Sequence, residues 1–173
     1  MPIVPRTDMN LQVFRSLPDE ARVWVYAFDR PLTEAERRMV GERLEAFMRE
    51  WHSHNADVEG SFTLAYDQFV IISGASRDGL SGCSIDSSVE NFKFFRDEHG
   101  LDALNRASVH YRDSDGAVRA LTRDRFKSEV DDGRCGAATT VFDLTVQTLG
   151  DVRAGRLEVP LADAWHAKVF LPA

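Results

Sequence analysis

The sequence predicts an α+β domain with a ferredoxin-like β-α-β-β-α-β core. Three observations carry this expectation. Runs rich in β-branched and aromatic residues recur at 22–28, 60–73 and 108–112; two amphipathic helical stretches separate them; and turn residues punctuate the junctions. The helices are expected on one face of a mainly antiparallel sheet, extended by a C-terminal hairpin and short helices. The chain's 173 residues and 43% hydrophobic content are enough for one sizeable core.

Residues 1–20 carry Pro2, Pro5 and Pro18 without periodicity and read as an N-terminal arm, with a single domain over 21–173. RVWVYAF, residues 22–28, is apolar on both faces and predicts a central strand. Thr33 and Glu36 have the capping-box spacing that satisfies the open N–H groups of a helix start. Val40, Leu44, Phe47, Met48 and Trp51 then form one apolar stripe, with Asn55 as a left-handed stop. Residues 60–66 and 69–73 form a hairpin around Asp67-Gln68.

A loop over 74–86 precedes a second capping-box pair, Ser87 and Glu90, and a helical face made by Val89, Phe92, Phe95, Leu101 and Leu104. Asp113-Ser114-Asp115-Gly116 predicts a second hairpin between 108–112 and 117–121. A short helix over 122–132 and a strand over 139–142 follow. Leu161, Trp165 and Val169 predict a closing helix, with His166 on its polar side.

The formal charge of −7, with acidic residues spread along the chain, argues against nucleic acid as a partner, because phosphate backbones are held by clustered Lys and Arg. No apolar run approaches the ~18 residues that cross a bilayer, and no secretory leader is recognisable, so a soluble cytoplasmic protein is expected. Cys83 and Cys135 form no C-x-x-C pair and are read as reduced thiols. His52 and His54 could join Cys83 in a three-ligand zinc site, but a His pair just past an amphipathic helix is more often solvated or hydrogen-bonded locally and no second Cys or His lies near either element, so no metal and no cofactor is predicted.

Gly74 to Ser81, GASRDGLS, comes within one residue of G-x-x-x-x-G-K-[ST] and follows a predicted strand. Leu80 replaces the Lys that contacts the terminal phosphates, Cys83 to Asp86 separate the second Gly from the expected helix, and no apolar strand ends in a magnesium-holding Asp. ATP hydrolysis is therefore disfavoured. Leu80-Ser81-Gly82-Cys83-Ser84 also echoes LSGGQ, the ABC-type ATPase signature. Together with Trp51-x-x-His54, the FVII strand and Trp165-His166, the string SGCSID at 81–86 resembles a family of small uncharacterised bacterial proteins, some labelled automatically as ABC transporter ATPases. The resemblance spans roughly 21–170 and implies no catalytic residue, since a signature string without a P-loop cannot hydrolyse ATP.

Cys83 has small neighbours and lies close to a predicted helix start, where open N–H groups favour a thiolate. His54 and His166 are the candidate bases, and Asp86 either orients one of them or caps the helix. The competing reading makes Cys83 a packing residue and the serines ordinary turn residues. Two functions therefore stand: a non-enzymatic domain binding a small molecule or protein through Trp51, His52, Ser81, Gly82 and Ser84, or a thiol-dependent enzyme or redox sensor with Cys83 as nucleophile.

Overall fold

Strand β1 (Arg22–Ala27) turns Val23, Val25 and Ala27 to one face and Trp24 and Tyr26 to the other, and it is covered on both. The computed structural model, which describes residues 8–53 and 56–173, continues through α1 (Glu34–Glu50), β2 (His52–Ser53), β3 (Ala56–Asp57), β4 (Glu59–Ala65), β5 (Phe69–Ala75) and α2 (Gly82–His99). The second half is β6 (Ser108–Arg112), β7 (Val118–Thr122), α3 (Arg123–Asp131), β8 (Thr140–Phe142), α4 (Leu149–Arg153), β9 (Glu158–Pro160) and α5 (Ala167–Phe170). The α+β class holds, with antiparallel pairing in each sheet.

The four strands of the expected core do not share one sheet. The first sheet is β1-β5-β4, and β6 instead lies within a second sheet ordered β7-β6-β8-β9. The flank of β1 away from β5 is taken by residues 147–148, where Val23 N–H donates to the Gln147 carbonyl at 2.9 Å. Burial along β6 explains the departure. Val109, His110 and Tyr111 are all enclosed, Val109 and Tyr111 in a core with Phe126 and Phe170 and His110 against Phe69 and the Phe28 carbonyl of the first sheet. A strand covered on both sides belongs between layers, not at the rim of the first sheet.

Helices α1 and α2 cover one face of the first sheet, packing Val40, Leu44, Phe92 and Phe95 on Tyr26, Val70 and Ile72. The other face carries Phe14, Leu17, Phe142, Leu149 and Val152. Phe14 and Leu17 are thus part of the core: a 3-10 turn at Leu11–Phe14 drives Phe14 into the interior, so the packed interior extends N-terminal to Ala21 while most of residues 8–20 stay at the surface. Residues 1–7 of the expected arm, and the Asn55 stop, lie outside the described residues.

The capping box of α1 forms as predicted, Thr33 and Glu36 exchanging both bonds. Helix α2 starts earlier than expected. Ser81 is its N-cap, accepting from Ser84 N–H at 3.2 Å, so the Ser87–Glu90 pair is internal and Gly82 to Asp86 are helical. The β4–β5 turn centres on Tyr66 and Asp67, both left-handed (φ 54° and 57°), one residue before the predicted pair. The closing helix does not form as one piece. A 3-10 turn at Leu161–Asp163 and the short α5 replace it, so Leu161, His166 and Phe170 point inward while Trp165 and Val169 are exposed.

Trp51 joins these layers. Its indole lies over Gly60 of β4 and Gly74 of β5, where an added methyl would come within 2.7 and 2.8 Å of the ring. Gly74→Ala is expected to lower stability by about 1–3 kcal/mol through overpacking. Urea denaturation of G74A, W51F and the double variant checks this: the cost of G74A should shrink in the W51F background, and simple additivity would show that the ring is not the obstacle.

Candidate functional site

The expected thiol site is an exposed helix start. Cys83 occupies the second position of α2 with its side chain exposed. Gly82 and Asp86 are likewise exposed, whereas Ser84 is enclosed, its Oγ donating to the Ser81 carbonyl at 2.7 Å. Trp51 is enclosed too, and its Nε1 donates to the Ser84 carbonyl at 2.9 Å. Both are committed to packing and present no surface to a ligand. His54 lies outside the described residues, as does the side chain of His52, although β2 runs beside α2. No imidazole hydrogen-bonds to Cys83, and no three-residue His/Cys/Asp/Glu grouping fit for a metal occurs, among the described residues.

His166 is not on a polar face. It is 3% exposed, stacked on Trp165 at 3.9 Å and packed with Phe170, and its Nδ1 has no partner. Burial pulls its pKa down to about 4, so it stays neutral and hydrophobic at physiological pH. His110 is similarly neutral. Its Nε2 meets the Phe28 carbonyl at 3.0 Å, which makes that nitrogen the protonated one, and burial lowers its pKa. Both histidines serve the core.

Of the expected loop over 74–86, only residues 76–81 lie between β5 and α2. Arg77, Asp78 and Gly79 are exposed, and a cleft of about 510 Å³ at its base is lined by Asp57, Glu59, Ser76, Arg77 and Asp78. Helix α2 begins at Gly82, so helical residues, not a separate loop, follow the P-loop-like string; that objection to phosphate binding falls. The objection from Leu80 stands, since its side chain packs on the α1–α2 core where a Lys would reach outward.

A larger cleft, of about 750 Å³, lies on the second sheet, between the β6–β7 turn and the 133–140 segment. The nearly buried Tyr111 and Cys135 form its floor. Arg112, Asp113, Glu129 and Arg134 are its charged walls, and Ser114, Thr139 and Thr140 supply hydroxyls. Backbone geometry sets the loop: the N–H groups of Arg134 and Cys135 both donate to the Glu129 carbonyl, and Gly136 N–H donates to Thr139 Oγ1 at 2.9 Å. Burial raises the Cys135 thiol and the Tyr111 phenol, and neighbouring acidic groups act in the same direction.

Sequence reasoning passed over this cleft. Its signals were present as two turn-rich strings, DSDG at 113–116 and DGRCGA at 132–137, but nothing in their spacing says that they converge. The β6–β8 pairing at Tyr111 and Val141 brings them together. Comparison of the chain with protein-family models, curated proteins and solved structures finds no match.

The neutral histidines give the pH dependence a sign. His166 is held well below its unfolded value of about 6.5, so between that value and its folded pKa of about 4 the unfolded chain binds a proton that the native state does not. Stability is therefore expected to fall as pH drops through this window, with His110 acting in the same direction. Urea midpoints across the pH range check it. His166→Phe should flatten the window, and an unchanged slope would rule out His166 as its source.

Proposed function

We propose that the chain is a non-enzymatic cytoplasmic binding domain for a small polar molecule, seated in the cleft between the β6–β7 turn and residues 133–140. The observation that carries this reading is the cleft itself. It has the size of a small-molecule site and combines a nearly buried aromatic floor with convergent hydroxyls and paired charges held on a sheet and an anchored loop. The two free cysteines support a reducing compartment, and no described helix is long and apolar enough to cross a membrane. The packing of Leu80 speaks against an ATPase. The SGCSID string groups the chain with the small bacterial family that shares it, while lending no support to that family's ATPase label.

A specific observation favours a second reading, in which Cys83 is a reactive thiol of an enzyme or redox sensor. The side chain is exposed in the first turn of an eighteen-residue helix, open to a soluble reagent. His54, the candidate base, would have to reach it from the segment after β2.

Amide spectra of the labelled protein, titrated with a library of small polar metabolites, test the first reading. Shifts should map to residues 111–116 and 134–140 and vanish in Ser114→Phe, which puts a ring across the mouth of the cleft. Shifts elsewhere, or none, would refute it. For the second reading, Cys83 in a Cys135→Ala background should react with iodoacetamide at neutral pH faster than glutathione does. A rate no greater than glutathione's would make Cys83 an ordinary surface thiol.

A further inference from the structure

All four charged side chains lining the larger cleft are already matched within the protein. Arg112 donates to Glu158 at 2.9 and 3.0 Å, and its remaining nitrogen donates to the Gly116 carbonyl at 3.0 Å. Asp113 accepts from Arg119 at 2.6 Å and from the N–H groups of Asp115 and Ala117. Glu129 takes a bidentate pair from Arg134 at 2.7 and 2.8 Å, and Asp132 adds a further bond at 2.8 Å. With two cations and two anions on the walls, a charged ligand meets no uncompensated partner. It would have to open a bidentate pair and strand one charge. Arg134 Nη1 has no partner among the described residues, but an anion placed there would face the Glu129 and Asp132 carboxylates.

What the cleft leaves unmatched is neutral. The Tyr111 ring is 7% exposed and packs on Phe126, yet its hydroxyl has no hydrogen-bond partner among the described residues and is not sealed off from solvent. Tyr111 itself lines the cleft, together with Cys135, Glu129 and Asp113. Ser114 and Thr140 bring two more hydroxyls without partners among the described residues, from the turn and from β8. A hydroxyl both donates and accepts, so three of them on separate segments suit a molecule that itself carries several hydroxyls. An apolar ligand would leave the Tyr111 hydroxyl dry, at a cost in affinity.

We infer that the cleft selects an uncharged, polyhydroxylated small molecule of the sugar or polyol class, with the Tyr111 hydroxyl as the specificity-determining group. The inference rests on reading this cleft as the binding site. Burial keeps both Tyr111 and Cys135 in their neutral forms at physiological pH, which preserves the uncharged floor.

The test uses the full chain and two probe sets in parallel amide titrations: glucose and myo-inositol, against phosphate, citrate and spermidine. At least one neutral probe should give saturable shifts at residues 111–116 and 139–140, and the charged probes should not. Tyr111→Phe should weaken that binding by about tenfold, as for loss of one hydrogen bond, while the remaining spectrum is retained; Thr140→Val serves if the first variant does not fold. Charged probes binding there in place of neutral ones would overturn the ligand class and leave the cleft standing. Neither set binding would overturn both, and undiminished binding to Tyr111→Phe and Thr140→Val would remove the role of the hydroxyls.

Discussion

Trp51 ends α1 and lies across the paired Gly60 and Gly74 of neighbouring strands, and it donates to the first turn of α2, so one side chain sets the spacing of two helices and a sheet. Full burial of an indole contributes about 4–6 kcal/mol of transfer free energy. Trp24 meets it edge-on at 6.0 Å and Phe47 tilts against it at 5.1 Å, which leaves the ring little freedom to shift. The two glycines exist where they do because a Cβ at either site collides with it. The position of α2, and with it the exposure of Cys83, depends on this contact.

A second constraint joins the two sheets. The Tyr66-Asp67 turn adopts a conformation that usually selects Asn-Gly, at a cost of about 1–3 kcal/mol for each such residue. Surrounding contacts hold it. Asp67 pairs with Arg37 of α1 at 3.2 Å, and Arg112 lies over the Tyr66 ring while bound to Glu158 of β9. Burial, together with the Glu158 carboxylate, pushes the Tyr66 phenol up to about 12. One residue further on, Gln68 Nε2 and His110 Nε2 converge on the Phe28 carbonyl, crossing from one sheet to the other. Arg112 also lines the larger cleft, so the contacts that fasten the sheets help to neutralise its wall.

The expected and observed sites differ for a reason that recurs along the chain. Ser81 and Ser84 read as turn residues and Ser87 as a helix cap, yet in α2 Ser84, Ser87 and Ser88 turn their hydroxyls back onto carbonyls one turn earlier: Ser84 to Ser81, Ser87 to Cys83 and Ser88 to Ile85. Such back-bonding lets a serine-rich string continue as helix. Ser84, Ser88 and Asn91 thereby form a buried polar seam, and Asn91 also accepts from Arg43 of α1 at 3.1 Å. A hydropathy pattern cannot announce a helix face of this kind.

Local pattern sufficed where a few adjacent residues decide the outcome. The capping box at Thr33, the apolar stripe to Trp51, the strands over 22–27 and 69–73, the hairpin around 113–116 and the α+β class follow from short-range spacing and from alternation along the chain. Partner choice over long separations belonged to the tertiary structure: β6 joining β8 and not β1, Phe14 entering the core, His166 turning inward while Trp165 stays at the surface. Each depends on which apolar faces remain to be covered once the first sheet has formed, a quantity that no window of sequence contains. The larger cleft is the clearest case. Its residues are ordinary turn and strand residues until the pairing of β6 with β8 closes a loop of nearly thirty residues and sets Tyr111 and Arg112 beside Arg134 and Thr139.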